Sequence, residues 1–236
     1  MRIAVIGCNE GLGLKLSQSF ARAGAQVFST VLPGGSMEEI DRLGANYPNS
    51  LIQFDMDVTR EDQLRAAADF IAGRYGQLDA LIHVAGVILP SDRENTIEKT
   101  DLDALRKTLE VNLIGVVGAI KHFSPLMAQG APFVVITSEG CDIGQCGTWI
   151  PAYALSKCAA TKAVGIARQS VKGPRFFAMH PGRMNTRLGR TTAQIEPEEA
   201  AASICHLILE GGIGRGGGWY IDYRGEDLLP QGAPPK

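Results

Sequence analysis

The chain is poor in the features that mark disulfide-bonded, metal-binding and membrane-spanning proteins. Its 236 residues include five cysteines and four histidines, with no Cys-x-x-Cys pair and no histidine at zinc-finger spacing. We therefore expect reduced thiols and no bound metal. No apolar run approaches a membrane-spanning length, and the run at residues 3–6 is too short for a signal-peptide core. These absences predict a soluble, cytoplasmic protein with no membrane partner.

The chain also lacks a large excess of positive or negative charge. The 23 basic and 25 acidic residues leave a formal net charge of −2, which gives no reason to expect a nucleic-acid partner. The sequence contains no G-x-x-x-x-G-K-[ST] loop and no G-x-S-x-G turn. It therefore gives no support to an ATPase or GTPase, or to a serine hydrolase built on a nucleophile elbow.

Short apolar runs alternate with longer amphipathic segments along the whole chain. Strands are predicted at residues 2–6, 26–31, 50–54, 78–84, 133–137, 175–180 and 218–222, and helices at 11–24, 36–46, 60–75, 100–129, 151–171 and 197–210. This alternation predicts one doubly wound α/β domain over 1–229, with a mostly parallel sheet and helices on both faces. Residues 230–236 are rich in Pro and Gly and predict a loose tail.

Local punctuation marks several helix ends. Thr59 precedes two acidic residues and is predicted to cap the helix at 60–75, which Gly76 would end. Pro197 is predicted to open the last helix.

A glycine-rich turn joins the first strand to the first helix. Residues 7–13 read G-C-N-E-G-L-G, a G-x-x-x-G-x-G spacing at the start of a βαβ unit. Glycines let backbone amides approach a pyrophosphate at a helix N-terminus. This turn therefore predicts a dinucleotide site.

Tyr153 and Lys157 lie four residues apart on a predicted helix, so their side chains share a face. A free phenol has a pKa of about 10, which is too high for efficient proton transfer at neutral pH. We expect the ammonium of Lys157 to lower the pKa of Tyr153 and make the phenol an acid–base group.

Two further polar residues are candidates for the same site. Ser138 follows a predicted strand, and ligands of open α/β sheets bind beyond the carboxyl ends of strands. Its hydroxyl could hold a substrate oxygen, or simply cap the strand end. Asn112 lies in an apolar helical segment, where structural hydrogen bonding explains a buried amide about as well as a catalytic role does.

Taken together and in order, these residues resemble the short-chain dehydrogenase/reductase family over residues 2 to about 229. The resemblance is carried by Gly7-x3-Gly11-x-Gly13, Asp57-Val58, Ala85-Gly86, Asn112, Ser138, Tyr153-x3-Lys157 and Pro181-Gly182-x3-Thr186. It implies a Rossmann-type sheet of seven parallel strands in the order 3-2-1-4-5-6-7.

The resemblance also implies an NAD(P)-dependent oxidoreductase acting on a small carbonyl or alcohol substrate. Tyr153 would donate or accept the proton, Lys157 would bind the nicotinamide ribose, and Ser138 would hold the substrate oxygen. Asn112 would support a proton relay through water and Lys157. The dinucleotide would be bound by Gly7, Asn9, Glu10, Gly11, Leu12, Gly13, Asp57, Val58, Ala85, Gly86, Tyr153, Lys157, Pro181, Gly182, Met184 and Thr186.

The chain departs from the family pattern at two positions. Ile6 stands where a threonine is common, and His83 stands where an asparagine is usual. We expect His83 to be a packed, hydrogen-bonded residue rather than a catalyst or metal ligand. The residues around 180–182 and 219–225 resemble the C-factor and sniffer-type carbonyl reductase branch, which implies small carbonyl substrates or a signalling role.

The choice between NAD and NADP stays open at the level of sequence. The second predicted strand ends without a charged side chain, which tolerates a 2′-phosphate, whereas Glu10 in the glycine turn opposes one. Three arginines, Arg183, Arg187 and Arg190, could bind an acidic substrate or a cofactor phosphate, or form a solvated loop. Trp149, in the segment 141–149, is a candidate wall of the substrate pocket.

The same sequence bears on two alternative functions and on the oligomeric state. An extended-branch nucleotide-sugar epimerase usually has a G-x-x-G-x-x-G turn after its first strand and a larger substrate domain, whereas the turn at residues 7–13 has the G-x-x-x-G-x-G spacing and no larger domain is expected here. A dinucleotide-binding redox sensor or signalling protein without turnover is the main alternative. The predicted helix at 151–171 is rich in small residues, and in similar enzymes it forms a dimer core with the helix at 100–129. The resemblance therefore implies a homodimer or homotetramer.

Overall fold

A computed structural model of the chain describes residues 1–93, 96–141, 147–148, 150–189 and 193–228. Its centre is a sheet of seven strands in the order β3-β2-β1-β4-β5-β6-β7, and every pairing is parallel. The strands are β1 Arg2–Ile6, β2 Gln26–Val31, β3 Leu51–Asp55, β4 Ala80–His83, β5 Pro132–Ile136, β6 Arg175–His180 and β7 Tyr220–Asp222. The implied fold class and strand order are confirmed.

Helices connect the strands and cover both faces of the sheet. They are α1 Gly11–Arg22, α2 Glu38–Asn46, α3 Glu61–Tyr75, α4 Leu102–Leu109, α5 Gly115–Phe123, α6 Pro151–Ser170 and α7 Pro197–Leu209. Each is a crossover between parallel strands or part of one, as such a sheet requires. Among the described residues, none of these helices is long and apolar enough to span a membrane.

The core has two halves, one on each face of the sheet. Ile3 and Val5 of β1 pack with the face covered by α1, α2 and α7. Ala4 and Ile6, the alternate residues of the same strand, pack with the face covered by α3, α5 and α6. This alternation follows from the two-residue period of a strand, and burial on both faces explains why the strands read as continuous apolar runs.

Several predicted element bounds were too long. The predicted strand 78–84 ends at His83, because the amides of Val84 and Ala85 both donate to the Ile6 carbonyl, at 2.8 and 2.9 Å. The predicted helix 100–129 is interrupted by a π-helical turn, Glu110–Ile114, and α5 ends at Phe123. Such a turn inserts one residue into the helical ladder, which amphipathic periodicity does not reveal.

Two of the three predicted helix-end signals agree with the structure. Gly76 ends α3 with a φ of 79°, and Pro197 is the first residue of α7. The prediction for Thr59 was wrong: α3 begins one residue later, after Arg60, and the Thr59 hydroxyl donates to the Asp57 carboxylate at 2.8 Å. A threonine can satisfy a nearby carboxylate instead of a helix end. The predicted tail at 230–236 lies outside the described residues.

Candidate active site

A cleft of about 1340 Å³ runs along the carboxyl ends of the strands. Most of the predicted site residues line it, as expected for an open α/β sheet. These are Gly7, Asn9, Glu10, Gly11, Leu12, Asp57, Val58, Ala85, Gly86, Ser138, Tyr153, Lys157, Pro181, Gly182, Met184 and Thr186. Gly13 and Asn112 do not line the cleft, and each contacts residues that do.

The glycine turn forms one end of the cleft and leaves no room for a side chain at Gly7 or Gly13. A Cβ at Gly13 would lie 1.9 Å from the Gly7 carbonyl oxygen, and one at Gly7 would lie 2.7 Å from the backbone of Ala85. Gly7 has a φ of 95°, in the left-handed region that favours glycine. Gly13 therefore allows α1 to start close to the turn, while Gly7 and Gly11 line the cleft.

The neighbouring strand β2 supplies the hydroxyl that Ile6 lacks. The Thr30 hydroxyl, at the position of β2 paired with Ile6, accepts a hydrogen bond of 3.1 Å from the Gly7 amide. Sequence reasoning missed this residue, since only the strand pairing brings Thr30 to the turn.

The Asn9 side chain holds the loop that follows β2. Its Oδ1 accepts from the Leu32 amide at 2.7 Å, and its Nδ2 donates to the carbonyls of Leu32 and Ser36 at 3.1 and 3.4 Å. Asn9 lines the cleft as predicted, but its amide is engaged with this loop. The end of the cleft next to the glycine turn therefore depends on Asn9 for its shape.

Ion pairs engage the two predicted anion-binding arginines that the structure describes. Arg187 lies 3.0 Å from the Glu10 carboxylate, and Arg183 lies 2.5 Å from that of Glu139. The Glu10–Arg187 pair joins the glycine turn to the segment after β6. It also offsets the charge with which Glu10 would oppose a 2′-phosphate. Arg190 lies outside the described residues, as do Cys146 and Trp149.

Asp57 follows β3 and lines the cleft near the glycine turn. Its carboxylate accepts from the amide and hydroxyl of Thr59 at 2.9 and 2.8 Å, and its own amide donates to Gln63 Oε1 at 2.7 Å. These bonds hold Asp57 and Val58 along the cleft wall.

Asn112 lies in the π-helical turn, fully buried. Its Oδ1 accepts from the Val87 amide at 2.8 Å, and its Nδ2 donates to the Val87 carbonyl and to Ser156 Oγ at 3.0 and 2.9 Å. The side chain therefore ties the loop after β4 to α6, and the proton relay implied for Asn112 stays a prediction.

Ser138, Tyr153 and Lys157 meet at the centre of the cleft. Lys157 is 3% exposed, its Nζ donates to the Ile136 carbonyl at 2.8 Å, and it lies 5.7 Å from the centre of the Tyr153 ring. One turn of α6 separates the two residues, so both project toward the end of β5, where Ser138 follows.

The electrostatics of this centre differ from the sequence-based expectation. Burial raises the pKa of Tyr153 above its usual range, the nearby Cys141 raises it further, and Ser138 lowers it through a hydrogen bond. The expected lowering by Lys157 is therefore not observed: loss of hydration is the largest cause of the shift, and Lys157 is not among its causes. Burial also lowers the pKa of Lys157 to about 8, so this pKa lies close to neutral pH.

Ser138 and Glu139 are held by residues from two later strands. Tyr220 of β7 donates to the Ser138 carbonyl at 2.9 Å. The Glu139 amide donates to His180 Nδ1 at 3.3 Å, and the Gly140 amide to Ser138 Oγ at 3.2 Å. Sequence reasoning missed Tyr220 as a site residue, since nothing local connects it to Ser138.

His83 is buried, as predicted, with 1% of its surface exposed. Its Nε2 has no hydrogen-bond partner among the described residues, so the expected hydrogen bonding is met only in part. Burial lowers the pKa of His83 to about 3, the charge of Lys157 lowers it further, and backbone hydrogen bonds at His83 and Gly115 oppose this shift.

The cleft and its glycines fit a dinucleotide. Its volume is large, and Gly7 and Gly11 present backbone without side chains at the start of α1. Gly86 keeps a similar opening beside Lys157, since a Cβ there would lie 3.2 Å from Nζ.

Two named dehydrogenases align with most of this chain. The 1-hydroxy-2-glutathionyl-2-methyl-3-butene dehydrogenase of Rhodococcus sp. (strain AD45) is 27% identical over 214 residues, which are 87% of this chain and 89% of that protein. The L-fucose dehydrogenase of Oryctolagus cuniculus is 30% identical over 207 residues, which are 85% of this chain and 68% of that protein.

Solved structures share the fold. A short-chain dehydrogenase/reductase from Burkholderia multivorans with bound NADP superposes with a TM-score of 0.84, covering 96% of this chain and 98% of that one at 22% identity. A carbonyl reductase from Pseudomonas aeruginosa PAO1 gives a TM-score of 0.81 with the same coverage and identity.

A family model described as enoyl-(acyl carrier protein) reductase matches residues 7–209, from the glycine turn to the end of α7. With this match over most of its length, the chain belongs to the short-chain dehydrogenase/reductase family.

Proposed function

We propose that the protein is an NAD(P)-dependent oxidoreductase that interconverts a small carbonyl compound and the corresponding alcohol. The observation that carries the proposal is the meeting of Ser138, Tyr153 and Lys157 in a cleft that begins at a glycine turn. A bound dinucleotide would supply or accept the hydride at its nicotinamide ring.

In the reducing direction, the side chains of this chain manage the substrate oxygen and its proton. The Ser138 hydroxyl donates to the carbonyl oxygen and favours the negative charge that develops there. The Tyr153 hydroxyl then gives its proton to that oxygen as the carbonyl carbon gains the hydride. One C–H and one O–H bond form and the C=O double bond becomes single, while the Tyr153 O–H bond breaks and the hydride would leave a C–H bond of the reduced nicotinamide, which would be oxidised. The reaction reverses for oxidation of the alcohol.

Lys157 has two tasks in this proposal. Its Nζ, held by the Ile136 carbonyl at 2.8 Å, would bind the nicotinamide ribose. As an ammonium it also favours the phenolate that Tyr153 becomes after proton transfer. Because the pKa of Tyr153 is raised by burial, the resting phenol holds its proton, which suits the reducing direction.

Both NAD and NADP are compatible with the residues around the end of β2. Leu32, Gly34, Gly35 and Ser36 line this part of the cleft without a charge, Glu39 lines the cleft three residues further on, and Arg187 pairs with Glu10. The NADP-bound relative supports use of the phosphorylated form, and the P. aeruginosa relative supports a carbonyl substrate.

The test follows nicotinamide absorbance with NADPH and NADH against a panel of aldehydes, ketones and diketones. We expect carbonyl-dependent oxidation of at least one dinucleotide by the wild type. Tyr153→Phe should lose at least about a hundredfold in kcat while it still binds the dinucleotide. Tyr47→Phe, a partly buried tyrosine away from the cleft, is the matched control and should keep full activity.

The same assay separates the enzyme from a sensor. A wild type that binds the dinucleotide tightly but oxidises it with no carbonyl on the panel would contradict the proposal. A biological effect unchanged in Tyr153→Phe would then favour the redox-sensor or signalling function.

A further inference from the structure

The helix that carries Tyr153 and Lys157 begins without a cap of its own. Ile150 occupies the cap position with φ 47° and ψ 54°, and its hydrocarbon side chain cannot accept a hydrogen bond. Pro151, the first helical residue, has no amide hydrogen. The amides of Ala152 and Tyr153 therefore need acceptors from elsewhere in the chain, since the first turn of a helix has none of its own.

Asp92 supplies both acceptors. Its Oδ1 accepts from the Ala152 amide and its Oδ2 from the Tyr153 amide, each at 2.9 Å. Asp92 lies 61 residues before Tyr153, in the 3₁₀ turn Pro90–Arg93, and is 3% exposed. A buried carboxylate makes strong hydrogen bonds to a helix N-terminus, where the helix dipole also favours negative charge.

The same short turn reaches the opposite wall of the cleft. Arg93 follows Asp92, lines the cleft, and donates to the Leu188 carbonyl at 2.7 Å. The turn therefore connects the start of α6 to the segment after β6, which also borders the cleft. Through Asp92 this connection ends on the backbone of Tyr153 itself.

We propose that Asp92 is a positioning residue for Tyr153: its carboxylate fixes the first turn of α6 so that the phenol is held against Ser138. The inference rests on the proposed function, because it assigns Asp92 to the proton transfer that Tyr153 performs. A displacement of about 1 Å at a reacting group can cost on the order of a hundredfold in rate. Replacing Asp92 should therefore lower kcat more than it changes dinucleotide binding, which depends mainly on the glycine turn.

The chain contains a matched control. Asp101 caps α4 in a similar way, since its Oδ1 accepts from the amides of Asp103 and Ala104 at 2.9 and 3.4 Å. Asp101 is exposed and does not line the cleft. A general loss of stability on removing a helix cap should appear in variants at both positions, whereas a positioning effect should appear only at Asp92.

The experiment compares Asp92→Asn, Asp92→Ala, Asp101→Asn and Asp101→Ala with the wild type. Asn keeps one acceptor oxygen but turns a donor toward the second amide, and Ala removes both acceptors. We expect kcat to fall at least about tenfold in Asp92→Asn and further in Asp92→Ala, with the dinucleotide Kd within about twofold of the wild type. Both Asp101 variants should keep kcat within about twofold.

Amide hydrogen exchange provides a second readout. The amides of Ala152 and Tyr153 should exchange faster in Asp92→Asn than in the wild type, and their exchange rates should be unchanged in Asp101→Asn. This measurement needs only the milder Asn variant, so it remains decisive if Asp92→Ala fails to fold.

Three outcomes would overturn the assignment and can be told apart. If the wild type reduces carbonyls and Asp92→Asn keeps its kcat while these amides exchange faster, Asp92 is only a structural cap. An equal loss of kcat in the Asp101 variants leads to the same conclusion. If the wild type binds the dinucleotide but reduces no carbonyl, the proposed function fails first, and the role of Asp92 in it fails with it.

Discussion

The hydroxyl of Tyr220 donates a hydrogen bond of 2.9 Å to the backbone carbonyl of Ser138, 82 residues earlier in the chain. Tyr220 begins β7 and is 6% exposed, so the last strand of the sheet braces the residue that follows β5. Ser138 therefore has its position set by β7 as well as by its own loop, where the Cys141 amide donates to the same carbonyl at 3.1 Å.

Tyr220→Phe should remove this brace without changing the size of the ring. We expect kcat to fall about three- to tenfold, because Ser138 loses its support but keeps its hydroxyl, with about 1 kcal/mol lost from the free energy of unfolding. Steady-state kinetics and urea unfolding measure the two effects, and Tyr47→Phe is the control. An unchanged kcat beside a lowered stability would show that the bond has no part in placing Ser138.

His83 should make the protein less stable in acid. Its pKa falls from 6.5 to about 3 on folding, so between these values the unfolded chain binds a proton that the folded chain does not. Stability is therefore lost as the pH falls from 6.5 toward 3. His83→Asn removes this contribution, and we expect its free energy of unfolding, relative to the wild type, to improve by about 2 kcal/mol between pH 6.5 and pH 5.

Urea unfolding across this pH range measures the effect of His83. The exposed His206 gives the control, because His206→Asn should follow the pH dependence of the wild type. Parallel curves for His83→Asn and the wild type would contradict the prediction.

Leu32 should control the choice of dinucleotide. It is 50% exposed, lines the cleft just after β2, and has its backbone held by Asn9. A carboxylate at this place repels a 2′-phosphate, and a guanidinium attracts it.

We expect Leu32→Asp to lower the ratio of kcat/KM for NADPH over NADH by at least about tenfold, and Leu32→Arg to raise it by a similar factor. The two variants are controls for each other, since both replace the same leucine by a charged side chain. A ratio that moves in the same direction in both would contradict the electrostatic explanation.

Exposed apolar residues support the implied homodimer or homotetramer. Leu155 and Ile166 are 49% and 57% exposed and lie on one face of α6, while Ile114 and Val117 are 50% and 45% exposed around the start of α5. Apolar side chains at helical spacing on an open face are typical of a contact between subunits.

The double variant Leu155→Glu, Ile166→Glu should shift the protein toward monomer in light scattering at micromolar concentration. Ile97→Glu changes a residue that is 63% exposed outside these helices and should leave the assembly unchanged. A wild type that is monomeric across working concentrations would show that no such assembly forms.

Much of the fold could be predicted from local patterns. The strands 2–6, 26–31 and 175–180 have the predicted bounds, because apolar runs between glycine, proline and polar residues are reliable signals for buried parallel strands. The interruption of helix 100–129 at Glu110–Ile114 could not be predicted, since Asn112 finds its partners in Val87 and Ser156, which are distant in sequence.

The candidate site divides in a similar way. Sequence alone predicted Tyr153 and Lys157, whose spacing on one helix is a local property, and the glycines of the turn, which have few substitutes where a Cβ does not fit. The order of its motif residues also carries the family resemblance, which implied the order of strands in the sheet.

The tertiary structure alone decided how these groups are held and charged. Asp92 reaches the start of α6, Tyr220 braces Ser138, and Thr30 completes the glycine turn, each across a long separation in the chain. Burial reversed the expected direction for the pKa of Tyr153, because desolvation depends on everything packed around a group. Hydrogen bonds between distant residues and loss of hydration arise only when the chain is folded, so no local pattern encodes them.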